Sequence, residues 1–255
     1  MKLTCEFGGG IGNQCLEIYK TYMYARLNNI SFNDIIFDKK YYRPLFENIK
    51  HKFVDFSSIN EKISDSIRDE ADLSKIKFDS CDYFRLCGYG WVYPNTVEEM
   101  ILFSEIFDNR KFAKTILEKY KAYFDMPTVG FTIRRGDFLY LDRSRFKVLS
   151  DAEINNTVNL VKTLHNNIVR IIITSNDADY IRSVLIDQNN VVIHDNVSQE
   201  EDVMLLSFCD YIINNGAFYR GVDRVDELNR NESTFGQIAQ LLSASRKFIY
   251  IDSVV

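Results

Sequence analysis

No CxxC pair, GxSxG, P-loop or HExxH occurs in this sequence. Those absences remove the standard signatures of zinc ribbons, serine hydrolases, nucleoside-triphosphatases and zinc proteases. The five cysteines (Cys5, Cys15, Cys81, Cys87 and Cys209) are odd in number and irregularly spaced. They read as buried free thiols of a reducing compartment, without a disulfide framework. His51, His165 and His194 are scattered, and none stands in a Ser/His/Asp or metal-ligand spacing. Basic residues are not in excess. With 31 Lys+Arg against 36 Asp+Glu the net charge is -5, which argues against a general nucleic-acid binder but not against a local anion site. No stretch is long or apolar enough to span a membrane, and "MKLTCEFGGG" lacks the apolar run of a secretory leader, so a cytoplasmic location is expected.

What is present suits a sizeable core: 46% hydrophobic and 14% aromatic residues in 255, enough for one large domain or two lobes. "MKLTCEF" predicts a short strand, "GGGIGNQ" a turn, and the spacing of Leu16, Tyr19, Met23 and Leu27 a helix. "DIIFD" predicts a second strand. A weak helical pattern covers 59–73 within an irregular, aromatic stretch, and helices are predicted at 97–107 and 111–124. "DMPT" then breaks the chain. Beyond it the pattern is regular. Strands at "TVGFTI", "RIIIT", "VVI", "YIIN" and "KFIYI" alternate with helices at 151–165, 177–186, 199–208 and 237–244. Short apolar strands alternating with helices predict an α/β fold with a parallel sheet covered on both faces. The opening repeats the strand–turn–helix–strand order. Two Rossmann-like lobes, 1–125 and 126–255, are therefore expected, with ligands beyond the carboxyl ends of the strands.

Three segments fall at such strand ends. In "GGGIGNQ", Gly8 and Gly10 are followed by Asn13 where a dinucleotide fingerprint requires a third glycine, and Asp38 lies too far along to imitate its acid. The segment is either a tight turn or, through the Asn13 and Gln14 amides, a contact for sugar hydroxyls. "IRRGD" sets Arg134 and Arg135 before Gly136 and Asp137. A guanidinium fork matches phosphate oxygens, and a structural ion pair fits the motif equally well. "TSND" is read as a helix N-cap or as a contact for a base or ribose. Its neighbouring carboxylates, Asp177 and Asp179, fit the helix dipole better than a metal. "NESTFGQIAQLL" opens a helix whose free amides form a natural phosphate seat, unless Ser233 or Thr234 is simply a cap. The polar loop before it is either a lid or a surface loop.

Taken in order, "GGGIGNQ", "LCGYGWVYP", "IRRGD", "TSND", "FCDYIINN" and "STFGQIAQLLS" resemble the α-1,2-fucosyltransferases of glycosyltransferase family 11. They resemble the α-1,6- and protein O-fucosyltransferases more distantly. The resemblance implies a GT-B-like fold, two lobes with parallel sheets facing a central cleft. It also implies GDP-β-L-fucose as donor, inversion at the anomeric carbon and no metal cofactor. It places Arg134 on the β-phosphate, and Asn13, Gln14, Gly10 and Gly12 near the sugar. Asp177 goes to the guanine end, and Ser233 and Thr234 to the diphosphate. Thr132, Arg135, Asn176 and Phe235 complete the donor-side set, with Arg134, Asn13 and Asp137 as the candidate catalytic group and Glu17 as an alternative base. Three departures stand out. Thr132 occupies the family's histidine position, Asn176 replaces an aspartate, and the family's Asn-Ser-Thr-Phe run is split between Asn215 and Ser233. The expected partners are a nucleotide-sugar donor and a glycan acceptor of a surface polysaccharide. No nucleic acid is expected, and the absence of a spanning segment leaves room for peripheral membrane association.

Overall fold

The computed structural model describes residues 1–58, 63–65, 81–88, 92–140, 148–195, 197–214, 217–219 and 234–252. Chain contacts divide into two compact units, Met1–Asn109 and Arg110–Val255.

In the first unit, strand β1 (Lys2–Cys5) leads through the glycine turn into helix α1 (Ile11–Leu27). Strands β2 (Phe37–Asp38) and β3 (Phe53–Val54) form a small parallel pair. Strands β4 (Ile63–Asp65) and β5 (Tyr83–Leu86) join β1 in a parallel sheet of order β1-β5-β4, with Leu3 and Ser64 both opposite Phe84. Helix α2 (Val97–Phe107) follows, capped by Thr96, whose hydroxyl accepts the Glu99 amide. The core is aromatic. Tyr19 of α1 meets Phe103 edge-on at 5.5 Å, Phe103 meets Phe107, and Phe46 stacks on Phe53 at 5.8 Å. Each such ring, once buried, contributes on the order of 2 kcal/mol.

Two sequence expectations change here. Of "DIIFD", only Phe37–Asp38 is a strand. A 3-10 turn capped by Ser31 takes up Phe32–Asp34, and Ile35 makes a single bridge to Leu3. The helix expected at 59–73 is not found where the chain is described. Ile63–Asp65 is β4, and the rest of that span lies outside the described residues.

The second unit opens with helix α3 (Arg110–Lys119), which packs on α6 (Gln199–Leu206); a 3-10 turn over Lys121–Tyr123 ends the helix predicted to reach 124. The sheet combines β6 (Thr128–Ile133), β7 (Arg170–Ser175), β8 (Val191–His194), β9 (Tyr211–Asn214) and β10 (Ala217–Tyr219) in the order β10-β9-β6-β7-β8. All pairings are parallel except that of β10 with β9.

Period-2 alternation sorts the strand residues between two helical layers. Val129, Phe131, Ile133, Ile171 and Ile173 pack with Ile154, Val158 and Val161 of α4 (Asp151–Leu164) and Ile181 of α5 (Ala178–Val184). Gly130 and Thr132 face the other way. A Cβ on Gly130 would stand 2.7 Å from Leu206 Cδ2, so glycine lets α6 lie close to the sheet. Helix α4 begins with a full capping box: Ser150 accepts the Glu153 amide while Glu153 accepts the Ser150 amide.

"KFIYI" is not a strand. It lies within α7 (Thr234–Asp252), a helix much longer than the one expected at 237–244. A five-residue apolar run has no periodicity that separates strand from buried helix, and here the helical continuation wins. β10 was not expected, because "NNGAFY" reads as a loop. Among the described residues no helix is long and apolar enough to cross a membrane.

Candidate functional site

The second unit gathers its polar residues at the carboxyl ends of β6 and β7. β6 ends at Ile133, so Arg134 and Arg135 lie just beyond the strand, and they diverge. Arg134 Nε donates to Asp137 Oδ1 at 3.0 Å and its terminal nitrogen to Oδ2 at 2.5 Å, a bidentate fork. Its guanidinium also sits 5.1 Å from the centre of the Phe138 ring. Arg135 instead lies over the face of Tyr180, 3.5 Å from the ring centre, with Asp177 Oδ2 at 3.6 Å as an ionic neighbour. The Tyr180 hydroxyl in turn donates to Asp151.

Asn176 ties the two strand ends together. Its Oδ1 accepts the amides of Arg135 (2.9 Å) and Gly136 (3.1 Å), and its Nδ2 donates to Asp137 Oδ1 at 2.9 Å. An aspartate here could accept both amides but could not donate to Asp137, so the amide suits this network better than a carboxylate would. Gly136 is tightly enclosed: a Cβ there would come within 3.1 Å of Asn176 Nδ2. Asp177 begins α5 without a side-chain cap, and its own amide donates to Ser175 Oγ at 3.1 Å. The Arg134 guanidinium, by hydrogen bonding, holds the Asp137 carboxyl below the usual carboxylate range. A carboxylate so held is a poor acceptor for a substrate proton, which counts against Asp137 as a general base and in favour of its fixing the arginine.

Thr132, expected at the donor, is internal. It is 3% exposed, and its hydroxyl donates to Asn214 Oδ1 at 2.8 Å beneath the first turn of α7. A Cβ on Gly236 would stand 2.6 Å from Asn214 and 2.9 Å from Thr132 Oγ1, so Gly236 permits this close seating. Thr234 and Phe235 are half-buried in the same turn. Ser233 and Asn215 lie outside the described residues.

The first unit has its own cluster at the glycine turn. Gly9 has φ +63°, the left-handed region, and a Cβ there would meet Asn13 Nδ2 at 2.3 Å. Gly10 precedes α1, Gly12 is buried and Asn13 half-buried. Gln14, expected to line the ligand, is 4% exposed and acts as a bridge. Its Nε2 donates to the Gly9 carbonyl at 3.2 Å, and its Oε1 accepts Arg43 Nε at 2.6 Å. Glu17, the alternative base, accepts the Gly8 amide at 3.1 Å from inside the unit. Burial pushes its carboxyl up to about 9, with Glu6 nearby reinforcing the shift and Lys20 opposing it. It therefore carries its proton at neutral pH and is not free to take another.

Sequence reasoning missed Tyr180 and Arg43. Tyr180 carried a signal, as an aromatic in the first turn after "TSND". Arg43 carried none, because only the folded chain brings it to Gln14, 29 residues away.

Residues 121–220 match the family model described as Glycosyl transferase family 11. No curated protein sequence matches the chain. Several solved structures share its fold. The fucosyltransferase NodZ from Bradyrhizobium is 13% identical with a TM-score of 0.59, covering 94% of this chain and 92% of that one. POFUT1 in complex with GDP is 10% identical with a TM-score of 0.54, over 94% and 93%. A point mutant of Arabidopsis thaliana FUT1 in complex with GDP is 12% identical with a TM-score of 0.53, over 95% and 68%. The fold is thus the α/β, GT-B fold of these fucosyltransferases, and the segment holding the Arg134–Asn176 network is similar to glycosyl transferase family 11.

Proposed function

We propose that this protein transfers L-fucose from GDP-β-L-fucose to a hydroxyl of a glycan acceptor, with inversion, without a metal, and in an α-1,2 linkage. The observation that carries the proposal is the Arg134–Asp137–Asn176 network at the carboxyl ends of β6 and β7. The family match over 121–220 and the titles of the structural neighbours, which name GDP and GDP-fucose, support the choice of donor.

In the reaction the acceptor oxygen forms a bond to the anomeric carbon while the bond from that carbon to the β-phosphate oxygen breaks. GDP leaves with the bonding electrons, and the acceptor proton passes to a base or to solvent. Negative charge grows on the β-phosphate. A guanidinium already fixed by Asp137, itself fixed by Asn176, meets that charge with little reorganisation. The first turn of α7, seated on Thr132 and Asn214, adds the positive end of a helix dipole on the same unit. Asp137 and Glu17 hold structural protonation states, so the reading assigns the base to neither. Synthesis of a surface polysaccharide is the proposed setting.

Calorimetric titration with GDP in the presence of EDTA tests the reading. The wild type is expected to bind GDP, and Arg134→Ala to lose that binding and all transfer. The thermal midpoint of the variant should stay nearly unchanged, because a part-exposed ion pair is worth about 0–1 kcal/mol. Near-normal turnover of Arg134→Ala would overturn the phosphate assignment. A second reading, a different nucleotide sugar, rests on Thr132. With a buried threonine where the family has histidine, one contact to guanine is missing, and binding of UDP in preference to GDP would decide for it.

A further inference from the structure

Helix α4 is apolar over a wider arc than the sheet beneath it covers. Ile154, Val158 and Val161 go into the core. Leu160 and Leu164, four apart and so on one face, stay 52% and 61% exposed, and Ile168 in the turn that follows is 65% exposed. That turn is well fixed. Asn166 and Asn167 take left-handed φ values of 51° and 61°, and the amides of Asn167 and Ile168 donate to the Lys162 and His165 carbonyls.

Charge is missing from the same surface. Charged residues make up 26% of the chain, so about four are expected among the fifteen residues 155–169, and there is one, Lys162. Two positions from each leucine, at 100° per residue, Lys162 is turned to the opposite flank of the helix, where its buried ammonium meets Asp187 Oδ2 at 2.8 Å. Asn155 serves that flank too, bonding to the Val184 carbonyl and the Ile186 amide. Asn156, Asn159 and Thr163 are left to face outward beside the leucines. The Thr163 hydroxyl donates to the Asn159 carbonyl, and the side-chain amides of Asn156 and Asn159 bond to none of the described residues.

A face of leucine and asparagine without cations is unsuited to an anionic lipid surface or a nucleic acid. It is complementary to itself. Leucine packs on leucine, and an amide both donates and accepts, whereas a charged face would repel its own copy. A two-fold axis across the middle of α4 sets Leu160 of one copy against Leu164 of the other, twice over. The two helices then run antiparallel, with their dipoles favourably opposed.

We propose that the outer face of α4 is a contact between two copies of this chain, an isologous dimer built on Leu160 and Leu164. The inference goes beyond the transferase reading and does not depend on it. A helix of 14 residues is about 21 Å long, which makes the contact small beside that of a permanent dimer, so association in the micromolar range is expected.

The test is sedimentation of the full chain from about 1 to about 200 µM, a range that brackets micromolar association. The weight-average mass of the wild type is expected to climb from 29.8 kDa toward twice that value. Leu164→Lys and Leu160→Asp, each of which would leave an unpaired charge in the contact, should associate at least about tenfold more weakly. Both positions are exposed, so the thermal midpoints of the two variants should match the wild type and show the fold intact. Mixed in equal amounts, the two variants should associate again, because the introduced ammonium and carboxylate then face each other across the axis. A wild type that stays monomeric at the highest concentration would overturn the proposal and leave the face to another occupant. A dimer as tight in Leu164→Lys as in the wild type would place the contact elsewhere and overturn it as well.

Discussion

Replacing Glu17 by glutamine is expected to make this protein more stable at neutral and alkaline pH. The Glu17 carboxyl is 3% exposed and is raised from 4.5 to about 9, burial being the main cause. In the unfolded chain it ionises above pH 4.5, whereas in the fold it keeps its proton up to about pH 9. Across that window the unfolded state binds fewer protons than the folded one, so stability is full below the unfolded value and falls as pH rises. At about 1.4 kcal/mol per unit, the loss between pH 4.5 and pH 7 is on the order of 3 kcal/mol. Glutamine cannot ionise, and its Oε1 can still accept the Gly8 amide that Glu17 accepts now. Urea unfolding of both proteins from pH 5 to pH 9 is the assay. The curves should nearly coincide at pH 5 and diverge with rising pH, the variant gaining roughly 4 kcal/mol by pH 8. A variant with the same pH slope as the wild type, or one less stable at pH 8, would refute the reasoning.

Other outcomes follow from the second unit. Asn176→Ala removes the acceptor of two amides and the donor to Asp137. GDP affinity measured by titration should fall at least about tenfold, with a stability loss of about 1–2 kcal/mol. Gly236→Ala drives a methyl group into Asn214 and Thr132. Denaturant unfolding should report a loss of about 1–3 kcal/mol, and a gain in stability would contradict the close seating of α7. Ile173→Ala, at the centre of the buried sheet, should cost about 2–5 kcal/mol in the same assay.

The regular half of the fold could be read from the sequence because its strands are short apolar runs set between amphipathic helices. "TVGFTI", "RIIIT", "VVI" and "YIIN" all occupy adjacent places in one sheet. The first half was harder. Its ordered turns are 3-10 segments held by side-chain caps such as Ser31 and Asp38, and it has little periodicity to follow. "KFIYI" misled because β-branched and aromatic residues raise strand propensity, whereas the segment continues the helix α7. At the site, "RRGD" stood out because charge at a strand end is conspicuous. What each arginine does was hidden. The Arg134–Asp137 fork spans only three residues, but its anchor is Asn176, and Arg135 is set by Tyr180. The burial of Thr132 depends on a helix more than a hundred positions away, which its place in the "TIRRGD" run does not reveal.

That last contact bears on how this chain could change by mutation. Thr132, Asn214 and Gly236 fill one small space, with Gly236 leaving no room even for a methyl group. A histidine at 132 could not enter unless Asn214 shrank or the start of α7 moved. The three positions therefore form an epistatic set, in which the order of replacements decides which intermediates survive. Any route to a larger side chain at 132 would have to change 214 or the 234–236 turn first, and a mutant library at 132 should vary all three positions together.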